Sequence, residues 1–410
     1  MRRSIICGID VGNSAVKVVI AEFNRETLRP HVLGASSVPS NGLRKGMVID
    51  MEEAIRNLGE AIDGAESMAG VKISQAYVAL NGLHIRTQTS HGIVAVARAD
   101  SEISQGDIDR VVDAASVISL PQNREIIHIL PKNFIIDAQE HVKNPLGMKG
   151  VRLEADVLII DGLSTYIRNI AKCVNSNDIE VLEFVYSPLA LSKSVLDKHQ
   201  REHGVLNIDI GGGVSTLAMF HEGELVYTSV IPIGSRHITN DLAIALRTSM
   251  DVAEDIKIKH GLVANGVISK KDSVDLSDIL GEENFIIPKR QLADVINARV
   301  SEIFDSVINE VKKSDRYMLP AGMVLSGGGA KLVGLEGFAK NRMRLAVRLG
   351  GDYFLEGISD QVADPSFSAA VGLVVWGLEK ESSEGGFNNK RFVAKTGFKK
   401  ITDLLKHFMP

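Results

Sequence analysis

The chain has 410 residues, of which 45% are apolar and 24% charged, with a net charge of −5. That composition belongs to a globular protein of two to four domains with a full core, and its sign argues against a general nucleic-acid binder. Two cysteines, Cys7 and Cys173, are too few for a disulfide framework and point to a reducing compartment. No apolar run reaches the ~18 residues that span a bilayer. The longest, Ala369 to Leu378, contains Gly372 and Gly377, and the run after Arg3 is cut by Gly8 and Asp10, which makes a poor signal peptide.

Ser4 to Phe23 reads as a hairpin, with strands Ile5–Ile9 and Val16–Ile20 around the turn Asp10-Val11-Gly12-Asn13-Ser14. Lys17 is the one cation on its second strand. Asp50, with Glu53 three residues on, predicts a helix start, and Ile55, Leu58 and Ile62 give its apolar stripe to Gly64. Tyr77–Leu80 is a strand. Residues 83–161 read as an inserted α+β module. Its strand-like Ile93–Ala97 is followed by a helix capped at Ser104 and by strands 126–130 and 134–136, separated by Pro131. Val157–Asp161 is read as a return to the core. A helix from Ser164, a strand Val181–Val185 and a helix from Ser187-Pro188 to about His203 follow.

Leu206 to Thr216 reads L-N-I-D-I-G-G-G-V-S-T. Three consecutive glycines cost conformational entropy, and they suit backbone that must come close to a ligand with its N–H groups turned towards it. A phosphate fits such a loop, and Asp209 would serve it through Mg²⁺. A tight hairpin turn with a solvated Asp is the simpler alternative. The partial repeat, I-D-V-G-N-S at 9–14 against I-D-I-G-G-G at 208–213, suggests two related halves.

After Ile231-Pro232-Ile233-Gly234, two helices cover roughly 237–247 and 251–260. On the second, Glu254 and Lys257 share a face, as a surface ion pair or as a grip on ribose and base. Residues 269–284 read as a polar loop, and Pro288 to Ser314 as the longest helix, with Arg299 off its apolar face. A strand at 323–325 runs into a third turn, Ser326-Gly327-Gly328-Gly329, and a helix is expected from Leu332, its N–H groups facing a ligand. Ser366–Leu378, rich in Ala and Gly, predicts a helix closely packed on the one near Pro188. Residues 381–396 read as a flexible linker.

Residues 386–410 hold Lys390, Arg391, Lys395, Lys399, Lys400 and Lys406 against Asp403, which makes this tail +5 and the rest of the chain −10. At ~100° per residue, Phe398, Ile401, Leu404, Leu405, Phe408 and Met409 fall within an arc of about 140°. An apolar stripe with a basic opposite face suits reversible binding to an anionic membrane surface, or docking on the protein's own core.

Three glycine turns in the order D-x-G, D-x-G-G-G and S-G-G-G, with small-residue helices, resemble those of the actin-like ATPase superfamily. Ile231–Gly234, His237–Asp241, Leu246–Thr248, Glu254–Lys257, Ser366–Gly372 and the tail are similar to the bacterial cell-division actin homologue family FtsA. The resemblance implies an actin-like, duplicated ribonuclease H-like fold. One core subdomain would hold 1–82, 162–204 and 362–380, and the second 205–236 and 316–361. A capping subdomain would hold 237–315, the FtsA-type insert 83–161, and the membrane-targeting helix 397–410. It implies ATP and Mg²⁺ as cofactors and at most weak ATPase activity. The first phosphate loop would be Asp10, Gly12, Asn13, Ser14 and Lys17, and the second Asp209, Gly211, Gly212, Gly213 and Ser215. Asp10 and Asp209 would hold Mg²⁺ through waters, with Asp209 the best placed to orient water. Gly234, Glu254, Lys257 and Gly327–Gly329 would surround the nucleoside. Implied partners are the FtsZ C-terminal tail near Arg299, other copies of the chain, later division proteins at 83–161, and the anionic inner-membrane surface at Phe398, Lys399, Lys400, Ile401, Leu404, Leu405, Lys406 and Phe408. The implied location is peripheral, on the cytoplasmic face at the division site. One departure is Ser235, where the family usually has a second glycine after Gly234. A pilus-assembly homologue, or a kinase or phosphatase of the superfamily, is the alternative, although no acceptor-activating Asp can be named.

Overall fold

The computed structural model describes residues 5–24, 29–264, 266, 269, 271–280, 285–314, 318–351, 356–357 and 362–384. The C-terminal stripe and most of the linker lie outside these residues. The chain forms two compact units. One comprises the chain up to Leu83 together with Asn169–Leu378, and the other comprises His84–Arg168 with the segment from Glu379.

The first unit opens with three antiparallel strands, β1 (Ile5–Val11), β2 (Ala15–Asn24) and β3 (Arg29–Pro39), and a small hairpin, β4 (Leu43–Arg44) and β5 (Met47–Val48). Helix α1 (Met51–Ala69) begins where expected. The Asp50 side chain accepts from the Glu53 N–H, and the helix runs on to Gly70, whose left-handed conformation ends it. Strand β6 (Gln75–Leu80) then lies parallel to β1.

In the second unit, β7 (Arg86–Ala95), helix α2 (Gln105–Ser116), β8 (Arg124–Ile136), β9 (Gln139–Val142) and β10 (Arg152–Leu163) form a four-stranded sheet, β7-β10-β8-β9, covered by α2. Two sequence expectations change here. Pro131 does not divide two strands. It lies within β8 opposite Val157, at a register shift, where a bulge accommodates a residue with no N–H to give. Val157–Asp161 does not return to the core, because it is part of β10, paired with both β7 and β8.

Helix α3 (Ser164–Asn175) leads back to β11 (Glu180–Tyr186), which is parallel to β6. The helix expected from Ser187 to His203 is two helices, α4 (Ser187–Ser194) and α5 (Lys198–His203). The break falls at Asp197, whose side chain caps α5. The second half follows with β12 (Val205–Ile210), β13 (Ser215–His221), β14 (Glu224–Ile231), α6 (Ser235–Leu246) and α7 (Met250–His260). The stretch read as a polar loop contains β15 (Ser273–Asp275) and α8 (Ser277–Leu280), and β16 (Ile286–Pro288) pairs with β15. The long helix α9 (Lys289–Lys313) buries Leu292, Ile296, Val300, Phe304 and Val307. Strand β17 (Met323–Ser326), helix α10 (Leu335–Met343), β18 (Val347–Leu349), β19 (Glu356–Gly357) and helix α11 (Ser368–Glu384) complete the described chain. Residues 381–384, expected in the linker, belong to α11.

The two halves repeat one arrangement. The first sheet runs β11-β6-β1-β2-β3 with β19 at its edge, and the second runs β18-β17-β12-β13-β14. In each, a central strand (β1 or β12) has an antiparallel hairpin partner on one side and a parallel strand on the other. Loops that follow such parallel central strands are where α/β sheets bind ligands.

Helix α11 lies against the first sheet, where Val371 and Val374 meet Val19 and Val32. Its glycines permit two close approaches. A Cβ on Gly372 would sit 2.0 Å from the Ala190 carbonyl oxygen of α4, and one on Gly377 would sit 2.5 Å from the Tyr77 ring. Gly372→Ala therefore forces the α4–α11 contact apart. Overpacking of this kind costs about 1–3 kcal/mol, and thermal denaturation should register a clear drop in Tm. An unchanged Tm would mean that the crossing is not tight.

Candidate functional site

The two glycine turns meet. Asp10 is near the end of β1, paired across the hairpin with Lys17, and Asp209 is near the end of β12, paired with Thr216. A Cβ on Gly212 would fall 1.9 Å from Ser14 Oγ, and one on Gly213 would fall 3.0 Å from the Asn13 side chain. Glycine at these positions thus lets the second turn close on the first.

Each turn spends its first glycine N–H internally. Gly12 donates to the Ala15 carbonyl at 3.2 Å and Gly211 to the Val214 carbonyl at 3.0 Å. The carbonyls of Gly211 and Gly212 accept from Ser235 N at 2.8 Å and Arg236 N at 2.9 Å, so they satisfy open N–H groups at the start of α6. Gly234 makes room for this, since a Cβ there would lie 2.5 Å from both carbonyl oxygens. Ser235 keeps its backbone bond to Gly211, so the second-glycine position tolerates a serine.

The carboxylates feel one another. Burial, then the Asp10 charge, push Asp209 up to about 6, against the pull of Lys17 and a hydrogen bond from Ser326. Asp10 is also raised by burial, and Lys17 opposes the rise. Two acids and one lysine leave an excess of negative charge between the loops. The donor set is entirely oxygen, which suits a hard divalent cation.

The third turn closes on Asp209. Gly327 has φ +82° and would place a Cβ 2.6 Å from Asp209 Oδ1, and Gly329 lies against Ile210. The N–H of Gly327 donates to the Pro365 carbonyl at 3.2 Å, so it is committed within the protein. Gly328 passes near Ser366. The helix expected at Leu332 starts later. A 3-10 turn (Gly328–Lys331) comes first, and Gly334 in the left-handed region precedes α10. Val263 N bonds the Val333 carbonyl at 2.7 Å and Leu262 bridges Val333, which holds this link extended.

Glu254 and Lys257 form a pair that is buried at its lysine end and open to solvent at its glutamate end. Lys257 is buried, and its Nζ lies 2.6 Å from Glu254 Oε2 and 2.9 Å from Thr239 Oγ1, while Thr239 also donates to Glu254. Burial lowers the lysine's proton affinity, and Glu254 counters this. Ser215 is fully buried and donates to the Ile233 carbonyl at 2.7 Å, so its hydroxyl holds the loop base rather than facing the turns. Arg299 joins α9 to α6 by a two-pronged bridge to Asp241 at 2.7 and 3.0 Å and pairs with Glu302. Phe398, Lys399, Lys400, Ile401, Leu404, Leu405, Lys406 and Phe408 lie outside the described residues. Among the described residues no helix is long and apolar enough to cross a membrane.

Sequence reasoning passed over several groups. Thr239 completes the Glu254–Lys257 cluster. Asn81, at the end of β6, donates to Thr216 Oγ1 at 2.8 Å and accepts from it at 3.2 Å, tying the halves together beside Asp209. Gly46, after β4, donates its N–H to the Asn13 side-chain oxygen at 2.9 Å and so steadies the first loop. Ser326 donates to Asp209 Oδ1 at 3.3 Å. The signal for Ser326 was present, as the residue that opens the third turn.

Solved structures with the same architecture include the PilM–PilN type IV pilus biogenesis complex, at TM-score 0.66 and 16% identity over 91% of this chain and 98% of that one. MreB5 of Spiroplasma citri bound to ADP matches at TM-score 0.55 and 15% identity over 93% and 99%. The duplicated halves, the three turns and these likenesses define the fold of the actin-like ATPases. Family models narrow it further: "SHS2 domain inserted in FTSA" matches residues 82–161, and "Cell division protein FtsA" matches 206–372. Cell division protein FtsA of Pseudomonas aeruginosa is 38% identical over 92% of this chain and 90% of its own length. That of Escherichia coli K12 is 33% identical over 96% and 95%. The chain belongs to the FtsA family of cell division proteins.

The raised Asp209 gives a pH signature. Its folded value of about 6 stands above the 3.8 of an unperturbed Asp. Below pH 4 both folded and unfolded chains hold the proton and no penalty exists. Between pH 4 and 6 only the folded state retains it, so stability falls as pH rises and stays reduced above. In metal-free buffer, Asp209→Asn should therefore raise Tm, with a gain that grows from pH 4 to 7. A gain that is flat with pH would contradict the burial and repulsion assigned to Asp209.

Proposed function

We propose that this protein binds ATP with Mg²⁺ between its two halves, assembles with copies of itself, and tethers the FtsZ ring to the cytoplasmic face of the inner membrane at the division site, where it helps to recruit later division proteins. The observation that carries the reading is the contact of the two glycine turns beside two converging carboxylates. The N–H groups of Asn13, Ser14, Gly212 and Gly213 would cradle the phosphates, because those of Gly12 and Gly211 are already used inside their turns. Asp10 and Asp209 would hold Mg²⁺ through waters. The cation would supply the charge that makes a triphosphate acceptable beside two acids. Lys17 would add to the neutralisation, and Glu254, Thr239 and Lys257 would grip the nucleoside, with Gly234 and Gly327–Gly329 packing around it.

Nucleotide binding in a relative's fold supports this reading, since the MreB5 neighbour is bound to ADP. The MamK neighbour, at TM-score 0.50 and 12% identity, forms a double helical filament, which favours self-assembly. The tail's stripe and +5 charge favour a reversible membrane contact. Insert residues 83–161 would receive later division proteins, and the surface near Arg299 the acidic FtsZ tail. An incoming carboxylate there would compete with Asp241 and Glu302 for the guanidinium. Hydrolysis would be weak at most, with Asp209 the group best placed to orient water.

Titration of the full chain with a fluorescent ATP analogue in Mg²⁺ should show saturable binding, and Asp209→Ala should weaken it at least tenfold; equal affinities would remove the cleft from the nucleotide reading. Co-sedimentation with anionic liposomes should retain the wild-type chain and lose the Phe398→Glu/Phe408→Glu variant. Pelleting of both to the same extent would refute the tether.

A further inference from the structure

The two halves repeat their strands but not the support of their carboxylates. In the second half, β12 and β17 are parallel neighbours in which Asn207 pairs with Val324 and Asp209 with Ser326. Residues two apart on a strand face the same way, so Asn207, Asp209 and Ser326 meet on one side of the sheet. The Asn207 amide donates to Ser326 Oγ at 3.2 Å and to the Val324 carbonyl at 3.1 Å. Ser326 Oγ lies 3.3 Å from Asp209 Oδ1. Asn207 and Ser326 are buried, at 1% and 0% exposure, so water does not decide their partners.

The direction of this relay follows from its chemistry. An amide nitrogen only donates, and a hydroxyl has one proton. Once Asn207 fills a lone pair of Ser326, the serine proton goes to the carboxylate in reach, Asp209 Oδ1. Gly327 packs on the same oxygen. Oδ1 is thereby committed to the third turn, and the orientation of the carboxylate is set by two strands and a turn.

The matching positions in the first half carry none of this. Asp10 pairs with Ala79 across β1 and β6, and Gly8 pairs with Tyr77. Alanine stands where Ser326 stands, and glycine where Asn207 stands, and neither side chain can donate a hydrogen bond.

Building on the nucleotide-site reading above, we infer that Ser326, aimed by Asn207, is a positioning residue that orients Asp209 for the divalent cation, and that the two carboxylates are unequal. Asp209 is the pre-set acceptor for the cation's waters. Asp10 has no such relay and adjusts to the cation and phosphates as they enter. Partners that orient the groups around a metal affect its affinity even though they never touch it.

The test separates metal dependence from folding. The full-length chain is titrated with a fluorescent ATP analogue, once in EDTA and once across graded MgCl₂, with thermal melts as a control. Ser326→Ala should leave the affinity in EDTA within about twofold of wild type. It should raise the Mg²⁺ concentration for half-maximal binding by about tenfold. Ser326→Thr, which keeps the hydroxyl, should recover most of the loss. Asn207→Ala should shift the Mg²⁺ requirement in the same direction by a smaller factor, and it carries the test if Ser326→Ala does not fold. An unchanged Mg²⁺ requirement in these variants overturns the inference, as does an equal loss with and without Mg²⁺, which would make the hydroxyl merely structural. Failure of the wild-type chain to bind the nucleotide at all would instead defeat the nucleotide-site reading on which the inference rests.

Discussion

Everything in the larger unit is arranged around bringing two half-buried acids close together. Like charges resist that approach, and burial adds to the cost. The fold imposes it nonetheless, because each acid is near the end of a central strand, and each strand is fixed by a hairpin partner on one side and a parallel neighbour on the other. The turns can then meet only if nothing projects between them, and Gly212 and Gly213 meet that condition. Lys17 relieves part of the repulsion. Such strain persists where the surrounding structure over-determines it, and it tends to mark functional sites.

Much of this was legible in the sequence. The repeat of I-D-V-G-N-S as I-D-I-G-G-G announced two halves, and the small residues of 366–378 announced a tight helix contact. The errors share a cause, which is that local rules were overruled by pairing partners distant in sequence. Pro131 looked like a break, but a bulge against Val157 absorbs it. Val157–Asp161 read as a core strand because it is wholly apolar before its Asp, yet its partners are β7 and β8. The helix after the third glycine turn starts late because Val263 holds Val333 extended.

Side-chain roles were harder to see than elements. Ser215, beside a glycine run, looked like a ligand and proves to be an internal fastener for the Ile233 carbonyl. Ser326 is the opposite case, since its meaning depends on register with Asp209 across two strands more than 100 residues apart, which composition cannot disclose. Glu254 and Lys257 had the spacing of an ordinary surface pair, and only the packing that buries Lys257 with Thr239 sets them apart.

The crossing at Gly372 has a mechanical meaning. Helix α4 packs on both sheets, against β6 and β11 of the first and β12 and β13 of the second, and Val195, just after it, abuts Gly350 beyond β18. Helix α11 packs on the first sheet. Where they cross, backbone meets backbone with no side chain from Gly372 to interlock. Ser194 of α4 also donates to the Ser368 carbonyl of α11 at 2.7 Å, so a buried hydrogen bond pins the crossing beside the close backbone contact. The joint therefore acts as a clasp that ties both sheets to one closely packed crossing.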